Sequence, residues 1–188
     1  MKHLAVFASG SGTNYEAIEQ AVLNHQIEDC CVSLLICDNP DAFVLKRAEK
    51  YNREIFLFHP KEYKNKEQYE TILVEKLREH AIDLICLAGY MRIAGDTLLE
   101  AFPDKIINIH PALLPSFKGR HGIEDAFNYG VKVFGVTIHY VSKEVDGGKI
   151  IAQRAFEYDG DDLGEVEARI HEIEHELYPE TIKKLIKG

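Results

Sequence analysis

The chain has 188 residues, of which 46% are hydrophobic and 28% are charged, and its formal net charge is -9. This length and balance are typical of one globular domain with a continuous core, and they exclude a disordered, collagenous or coiled-coil chain. The acidic excess argues against a nucleic-acid partner, because a surface that neutralises many phosphates needs clustered Lys and Arg. A small anionic substrate remains compatible, since backbone N–H groups at a helix terminus can hold a phosphate.

Short β-rich runs alternate with amphipathic segments along the first part of the chain. Strands are predicted at residues 4–8, 32–37, 55–58, 82–87 and 106–109, and helices at residues 15–25, 42–51 and 67–80. This alternation is typical of βαβ units and therefore of a mainly parallel sheet. Two further strands, 133–141 and 149–156, are joined through residues 144–148 as an antiparallel pair, and a long helix over residues 163–186 follows.

These elements predict a single-domain, Rossmann-like α/β fold over residues 1–188. Its sheet is mainly parallel with an antiparallel C-terminal strand pair, and helices cover both faces. The four cysteines form no C-x-x-C pair and are expected to be reduced and packed. The apolar run 3–8 is too short for a signal peptide, and no run reaches the ~18 apolar residues of a membrane span. We therefore expect a cytoplasmic protein, which is a monomer or a homodimer, with no membrane partner.

The first motif with chemical potential is Ser-Gly-Ser-Gly-Thr-Asn at residues 9–14, which follows the first strand and opens the first helix. Its glycines let backbone N–H groups approach an anion, and Thr13 and Asn14 add donors. The loop lacks the Gly-Lys-Ser/Thr ending of triphosphate sites. Tyr15 occupies the third glycine position of the dinucleotide fingerprint, although Asp38 is placed to act as its ribose-binding acid. A phosphate site and a plain turn with an Asn14 or Thr13 N-cap both remain open.

Asn108 and His110 end a predicted strand, where open α/β sheets bind ligands. Strand alternation places both side chains on the same side. Asp146 is followed by two glycines, a triplet that by itself is most often a hairpin turn. If the Asp146 carboxylate reaches His110, it raises the pKa of the histidine and favours the imidazolium.

The last predicted helix contains His171-Glu-Ile-Glu-His175, which matches the H-E-x-x-H zinc motif. Catalytic zinc usually has a third protein ligand, and only Glu176, Glu180 or a residue upstream is left to supply it. We interpret the motif as a charged, solvated helix face and predict no metal site. There is also no Gly-x-Ser-x-Gly nucleophile elbow, so a mechanism without a covalent enzyme intermediate is favoured.

Taken together, five segments resemble the phosphoribosylglycinamide formyltransferases, also called glycinamide ribonucleotide transformylases, within the folate-dependent formyltransferase family. The segments are residues 10–14, 87–93, 108–115, His139 with 145–148, and 174–179. The resemblance covers nearly the whole chain. Its Asn-x-His-Pro and Asp-Gly-Gly elements are shared with other formyltetrahydrofolate enzymes, whereas the first and last segments are specific to the glycinamide ribonucleotide branch.

The resemblance implies three sets of site residues and no metal. The catalytic set would be Asn108, His110 and Asp146. The phosphorylated substrate would be bound by Gly12, Thr13, Asn14, His171 and Glu174. The folate would be bound by Lys66, Met91, Arg92, Ile93, Ala94, Asn108, Ser142, Lys143, Glu144, Val145 and Asp146. Phosphate binding would then fall mainly to about residues 1–100, and catalysis and folate binding to about residues 101–188.

The implied reaction is transfer of a formyl group from 10-formyltetrahydrofolate to the amine of glycinamide ribonucleotide in de novo purine biosynthesis. Asn108 would donate to the tetrahedral oxyanion, and His110, held cationic by Asp146, would stabilise the same charge. Two positions depart from the pattern. Lys66 replaces a common Arg near the folate tail and cannot grip a carboxylate bidentately. His171 replaces the more usual Lys or Gln, so we expect its phosphate contact to be pH-sensitive.

Three alternatives remain. A formyltetrahydrofolate hydrolase or a methionyl-tRNA formyltransferase would use the same catalytic residues. The sequence argues against both, because the hydrolase would carry an N-terminal regulatory domain and the tRNA enzyme an additional basic domain. The third alternative is a non-catalytic nucleotide-binding module in which Gly12 and Asp38 hold the ligand and His110 only packs.

Overall fold

The computed structural model describes residues 1–187, in which one sheet is flanked by helices. The strands are β1 Lys2–Ala8, β2 Cys30–Cys37, β3 Glu54–Leu57, β4 Leu84–Leu87, β5 Ile106–His110, β6 Val133–Tyr140 and β7 Ile150–Glu157. The helices are α1 Thr13–Leu23, α2 Val44–Lys50, α3 Lys66–Glu79, α4 Asp96–Ala101, α5 Gly122–Tyr129 and α6 Leu163–Lys187, with a single 3-10 turn at Pro60–Glu62. Residue 188, the last of the predicted domain, lies outside the described residues.

The strand order in the sheet is β3-β2-β1-β4-β5-β6-β7. Neighbouring strands from β3 to β5 pair in parallel, whereas β6 pairs antiparallel with both β5 and β7. The predicted α/β fold, with a mainly parallel sheet and an antiparallel C-terminal strand pair, is confirmed.

Helices pack on both faces of the sheet, as predicted. One core lies between the sheet and α1, α2, α5 and α6, and it contains Val6 and Leu35. The other lies between the sheet and α3 and α4, and it contains Phe7 and Ile36. Because successive strand side chains point to opposite faces, neighbours such as Val6 and Phe7 enter different cores. Strands buried on both faces therefore read as the nearly continuous apolar runs that made them recognisable.

The two short helices α4 and α5 are absent from the sequence-based prediction. They span six and eight residues, too few turns for a periodic apolar pattern to stand out. The start of α4 is stabilised instead by a distant contact, in which the buried Glu70 carboxylate accepts from the backbone N–H groups of Gly95 and Leu98. The strand predicted at residues 82–87 begins two residues later, because Asp83 precedes it and its carboxylate accepts from the backbone N–H of His3.

The carboxyl ends of the parallel strands lie at the same edge of the sheet. The order in which the chain adds strands reverses at β1. After β1 it adds β2 and β3 on one side, and it then crosses to add β4 and β5 on the other side of β1. Loops after β1 and β4 therefore diverge and leave a crevice between them. Tyr178 of α6 is fully buried and donates its hydroxyl to the Leu87 carbonyl at 2.8 Å, which fixes α6 against this edge.

Candidate active site

A cavity of about 480 Å³ opens at this crevice. Its wall consists of the loop after β1, the segment after β4, the end of β5, residues near the β6–β7 turn and the middle of α6. The predicted site residues in this wall are Gly12, Thr13, Asn14, Met91, Arg92, Ile93, Ala94, Asn108, His110, Ser142, Glu144, Val145, Asp146, His171 and Glu174. The fold thus brings together segments that lie up to 160 residues apart in the sequence.

One end of the cavity is formed by the glycine loop at the start of α1. Gly12 is the N-cap residue, with φ +74°, and no side chain caps the helix. A side chain at Gly12 would be strained by this φ, and its Cβ would lie 2.4 Å from Val44 Cγ2. Neither Thr13 nor Asn14 therefore acts as the N-cap, and the first backbone N–H groups of α1 are left for an anion.

Beside these N–H groups, α6 contributes a carboxylate. Glu174 is only 5% exposed, and one of its oxygens accepts from Asn14 Nδ2 at 3.3 Å and from His171 Nδ1 at 2.9 Å. The hydrogen bond with Glu174 raises the pKa of His171 above its ordinary value, against the opposing effect of burial. The Oδ1 atom of Asn14 is buried and has no hydrogen-bond partner among residues 1–187. This end therefore combines bare amide donors with acceptors suited to hydroxyl groups.

Four polar side chains meet at the centre of the cavity. Asp146 lies between two histidines, with Oδ2 3.6 Å from His110 Nδ1 and Oδ1 3.6 Å from His139 Nε2. Asn108 Nδ2 lies 3.3 Å from the same His139 nitrogen. The predicted Asn108–His110–Asp146 group is thus assembled in space. His139 belongs to it as well, because the antiparallel register places His139 directly opposite Asn108.

The two ring nitrogens of His110 both face acceptors. Nε2 donates to the Phe117 carbonyl at 2.8 Å, and a carbonyl oxygen can only accept, so that nitrogen carries a proton. Nδ1 faces the Asp146 carboxylate. His110 is 4% exposed, so these two acceptors fix the orientation of its ring in the cavity wall.

Asp146 is held as a carboxylate. Burial by itself would raise its pKa, but the facing ring of His139, the hydrogen bond from the Gly119 N–H and the nearby ring of His110 lower the pKa below its ordinary value. The residue adopts φ +50°, in the left-handed region. The following turn is equally constrained, since a Cβ at Gly148 would overlap the Tyr140 carbonyl oxygen. The Asp-Gly-Gly triplet is therefore a tight turn that also holds the Asp146 carboxylate between the two histidines.

The second end of the cavity has an apolar surface. The side chains of Met91, Ile93 and Val145 are 53%, 57% and 44% exposed, which is unusual for large apolar groups. Two residues of the predicted folate set are not in the cavity wall. Lys143 points to an exposed ion pair with Asp96 at 2.8 Å, and Lys66 runs alongside Gly95, the N-cap residue of α4. Contact of these two lysines with a ligand stays a prediction.

The sequence pattern missed Arg120, and it did not predict the contacts that Ser9 and Asp38 make beside the wall. Arg120 lies in the wall and donates to the Met91 carbonyl at 3.3 Å. Ser9 and Asp38, at the ends of β1 and β2, hydrogen bond to each other and to the segment after β4. Asp38 uses both carboxylate oxygens in these bonds, which argues against its role as a ribose-binding acid. The one available signal was that both residues end predicted strands at the same sheet edge.

Metal-ligand geometry is absent from the described part of the chain. Residues 1–187 contain no group of three or more His, Cys, Asp or Glu side chains that could hold a metal ion. Within the H-E-x-x-H sequence, His171 Nδ1 contacts Glu174, and the rings of His171 and His175 stack with their centroids 6.5 Å apart. Of the apparent zinc motif, His171 lies in the cavity wall, whereas His175 does not. None of the helices in residues 1–187 is long and apolar enough to cross a membrane.

Comparison with known proteins assigns the family. The model of the family described as formyl transferase matches residues 2–182, so the chain belongs to the formyl transferase family. Over 99% of its length it is 51% identical to the phosphoribosylglycinamide formyltransferase of Bacillus subtilis strain 168, of which 95% is covered. The crystal structure of phosphoribosylglycinamide formyltransferase from Bacillus halodurans superimposes with a TM-score of 0.95 at 48% identity, covering 98% of this chain and 95% of that one. Glycinamide ribonucleotide transformylase 1 from Symbiobacterium toebii gives a TM-score of 0.96 at 39% identity, covering 100% and 89%.

Proposed function

We propose that this protein transfers the formyl group of 10-formyltetrahydrofolate to the amine of glycinamide ribonucleotide, a step of de novo purine biosynthesis. The observation that carries the proposal is the single cavity that connects a bare helix terminus, an Asn–His–Asp cluster and an exposed apolar surface. These three features correspond to a phosphate, a reacting carbonyl and a flat heterocycle. The names of the relatives support the same substrates.

The phosphate end of the proposed complex is the start of α1. The N–H groups of Gly12, Thr13 and Asn14 and the positive helix terminus bind the phosphate. Glu174 accepts from ribose hydroxyls, and the unpaired Asn14 Oδ1 offers a further acceptor. His171 adds a positive charge beside the phosphate when it is protonated. In this arrangement the substrate amine is directed from the α1 terminus toward the centre of the cavity.

The folate end of the proposed complex is the apolar surface around Met91, Ile93 and Val145. Exposed apolar side chains in a concave wall fit a flat aromatic ring, and backbone groups of residues 91–94 and 142–146 supply hydrogen bonds to its edge. Lys66 is a candidate for the carboxylates of the folate tail. As a point charge it would hold them more loosely than an Arg.

At the centre, the substrate amine attacks the formyl carbon to form a new C–N bond, and the carbonyl oxygen becomes an oxyanion. Asn108 Nδ2 donates to this oxygen, and the His110 imidazolium stabilises its charge. Both groups are in place before the reaction, so little reorganisation is needed. Collapse of the intermediate breaks the bond between the formyl carbon and the folate nitrogen.

Proton transfer completes the reaction. The attacking amine loses a proton and the leaving folate nitrogen gains one, so the proton balance closes without an external acid or base. Asp146 remains ionised because its pKa is lowered, and we propose that it fixes a water that carries this proton. No metal takes part in the proposed steps. In this proposal, both halves of the chain contribute residues to each end of the cavity. The protein acts on two small molecules in the cytoplasm.

The experiment that tests this function is an assay of the purified protein with both substrates, following the formation of deformylated folate by absorbance. We expect turnover that depends on glycinamide ribonucleotide, and a loss of about a hundred- to a thousandfold in kcat for Asn108→Ala. Turnover without the amine substrate would instead identify a hydrolase. Formylation of methionyl-tRNA would identify the tRNA enzyme. Binding of nicotinamide nucleotides without any turnover would identify a non-catalytic module.

A further inference from the structure

The segment after β4, residues 88–94, supplies much of the cavity wall, but it is neither helix nor strand. Met91, Arg92 and Ile93 in it are exposed. Isolated loops of this kind are mobile unless distant contacts fix their backbone. The contacts that fix this one converge on a buried carboxylate outside the cavity wall.

That carboxylate is Asp38, which immediately follows β2. Its side chain is 5% exposed, and its two oxygens each accept one short hydrogen bond: Oδ1 from the Ser9 hydroxyl and Oδ2 from Arg92 Nε, both at 2.6 Å. Hydrogen bonds that involve a charged group are about twice as strong as neutral ones. Asp38 therefore connects the end of β2 to the end of β1 and to the segment after β4.

Ser9 extends this connection to the backbone of the same segment. Its hydroxyl accepts from the Met91 N–H at 3.0 Å while it donates to Asp38, and its own N–H donates to the Gly89 carbonyl at 3.1 Å. A hydroxyl has a single hydrogen to donate, so the Asp38 acceptor determines the direction of the Ser9 O–H and leaves its lone pairs for Met91. Without Asp38, the Ser9 hydroxyl has no fixed orientation.

The far end of the segment is fixed independently. The Glu70 carboxylate accepts from the Gly95 N–H at 2.6 Å and so holds the entry to α4. Between Gly95 and Gly89, the Tyr90 ring packs edge-on against Phe7 of β1. The polar groups that reach back to the sheet edge are the Arg92 side chain and the Met91 N–H, and both lead to Asp38. Because Arg92 donates to Asp38 through Nε, its two terminal nitrogens remain available at the cavity.

We propose that Asp38 is a positioning residue for folate recognition. Through Ser9 and Arg92 it holds residues 89–92 in the conformation that binds the pterin, the flat ring system of the folate. This inference rests on the proposed function. The side-chain bonds of Asp38 go to Arg92 and to Ser9, the first residue of the glycine loop, and not to the N–H groups at the α1 terminus or to the Asn108–His110–Asp146 cluster. The inference therefore assigns Asp38 mainly to the folate end. Its loss is therefore predicted to affect one substrate and not the other.

The test compares Asp38→Asn, Asp38→Ala and Ser9→Ala with the wild type. Asp38→Asn removes the charge at constant size, and Ser9→Ala removes the link to Met91 while leaving the ion pair with Arg92. We expect the KM for 10-formyltetrahydrofolate to rise about tenfold or more in the two Asp38 variants and about threefold in Ser9→Ala. The KM for glycinamide ribonucleotide should stay within about twofold of the wild-type value, and kcat within about threefold. Changes no larger than these mean that the effect is confined to one substrate.

Asp83→Asn is the matched control. Asp83 lies at the opposite edge of the same sheet, where its carboxylate accepts from the His3 N–H and Lys2 Nζ. The same chemical change there should leave both KM values unaltered. A purely structural role of Asp38 would instead lower the thermal midpoint and shift both KM values together, and that result would overturn the inference.

Calorimetric binding of tetrahydrofolate, in the absence of the amine substrate, separates this inference from the function on which it rests. Wild-type protein that binds tetrahydrofolate, with about tenfold weaker binding by Asp38→Asn, supports the inference. Equal binding by the wild type and both Asp38 variants overturns the inference alone. Wild-type protein that neither binds tetrahydrofolate nor turns over overturns the proposed function and this inference with it.

Discussion

Two buried carboxylates of this protein have opposite surroundings. Glu19 of α1 is fully buried and accepts two hydrogen bonds from Arg53, at 2.8 and 2.9 Å, and one from the Tyr15 hydroxyl at 2.8 Å. Asp146 is 11% exposed and faces two histidines at 3.6 Å, with one backbone N–H at 2.8 Å. Glu19 is in bidentate contact with a permanent cation, Arg53. The two histidines beside Asp146 lie at longer range.

The difference shows how similar groups serve stability or chemistry. Arg stays protonated at every working pH, so the Glu19 pair is a constant charge balance that holds the start of β3 against α1. Histidine in general changes charge near neutral pH, and at 3.6 Å the two histidines leave the Asp146 oxygens with acceptor capacity that Glu19 no longer has. We therefore predict a structural role for the fully satisfied Glu19 and a role in the proposed reaction for Asp146.

Replacing Glu19 gives the largest expected effect. Glu19→Ala leaves the partly buried Arg53 guanidinium and the Tyr15 hydroxyl without their acceptor. We expect the free energy of unfolding to fall by about 3–5 kcal/mol. Urea denaturation followed by circular dichroism measures this loss. Glu79→Ala, which breaks an exposed pair with Lys76, should leave the unfolding free energy almost unchanged. A small loss in Glu19→Ala, equal to that control, would contradict a structural role for the pair.

Replacing Asp146 tests the other side of the comparison. Asp146→Asn keeps the size of the side chain but removes the charge that compensates the His110 imidazolium. We expect kcat to fall about a hundred- to a thousandfold, with a modest change in either KM. Steady-state kinetics with Asp159→Asn, an exposed surface change, as the control will measure this effect. An unaltered kcat would remove Asp146 from the mechanism.

The lowered pKa of Asp146 also predicts a pH dependence that can be checked. The carboxylate stays ionised from neutral pH down to below its ordinary pKa of 3.8, and its charge is lost only as the pH falls through the lowered value. An acid limb of kcat well above pH 4 must therefore come from another group. Its stabilising contribution to the fold is likewise present above pH 3.8 and lost below.

The surroundings of Glu174 are intermediate between those of Glu19 and Asp146. The pH dependence that follows from its contact with His171 is the smallest effect that we predict. It is buried like Glu19 but paired with a histidine like Asp146, and the hydrogen bond with Glu174 raises the pKa of His171. The His171 charge is therefore complete below its ordinary pKa of 6.5 and is lost as the pH rises through the raised value. We expect the KM for glycinamide ribonucleotide to rise about two- to fivefold over that interval, because His171 is 54% exposed and solvent screens its charge.

Kinetics as a function of pH, above the second pKa of the substrate phosphate at about 6, measure this dependence. His171→Gln should make the KM independent of pH. The neighbouring Glu167, Glu174 and His175 remain in that variant, so a persistent pH dependence would assign the titration to one of them and refute the role of His171.

Much of the fold was predictable because its signals are local. The inner strands of the parallel part, β1, β2, β4 and β5, are short apolar runs that contribute to both cores, and such a run is visible without knowledge of its neighbours. The glycine loop at residues 9–14 was equally visible, since a tight turn between a strand and a helix needs glycine at that point. The helices α4 and α5 were missed because their ends depend on contacts such as that of Glu70 with Gly95, which no neighbouring residue reveals.

The candidate site was predictable only in part. Asn108 and His110 share one strand, so their common direction follows from alternation alone. His139 joins them through the register of β5 with β6, and Asp146 reaches both histidines through a turn with φ +50°. The resemblance to formyltransferases proposed Asp146 as a partner of His110. It did not reveal that the carboxylate lies between two histidines at equal distance.

By itself, therefore, the sequence determined the α/β class, the order of its strands and longer helices, the glycine loop and the Asn-x-His strand end, because each depends on the periodicity or conformation of neighbouring residues. Only the tertiary structure showed that Glu19 is paired with Arg53, that Asp146 lies between two histidines, and that Asp38 bonds to Ser9 and Arg92. The roles predicted for these carboxylates depend on which partner each one meets across the sheet. The partners are set by strand order and register, which the whole fold determines together.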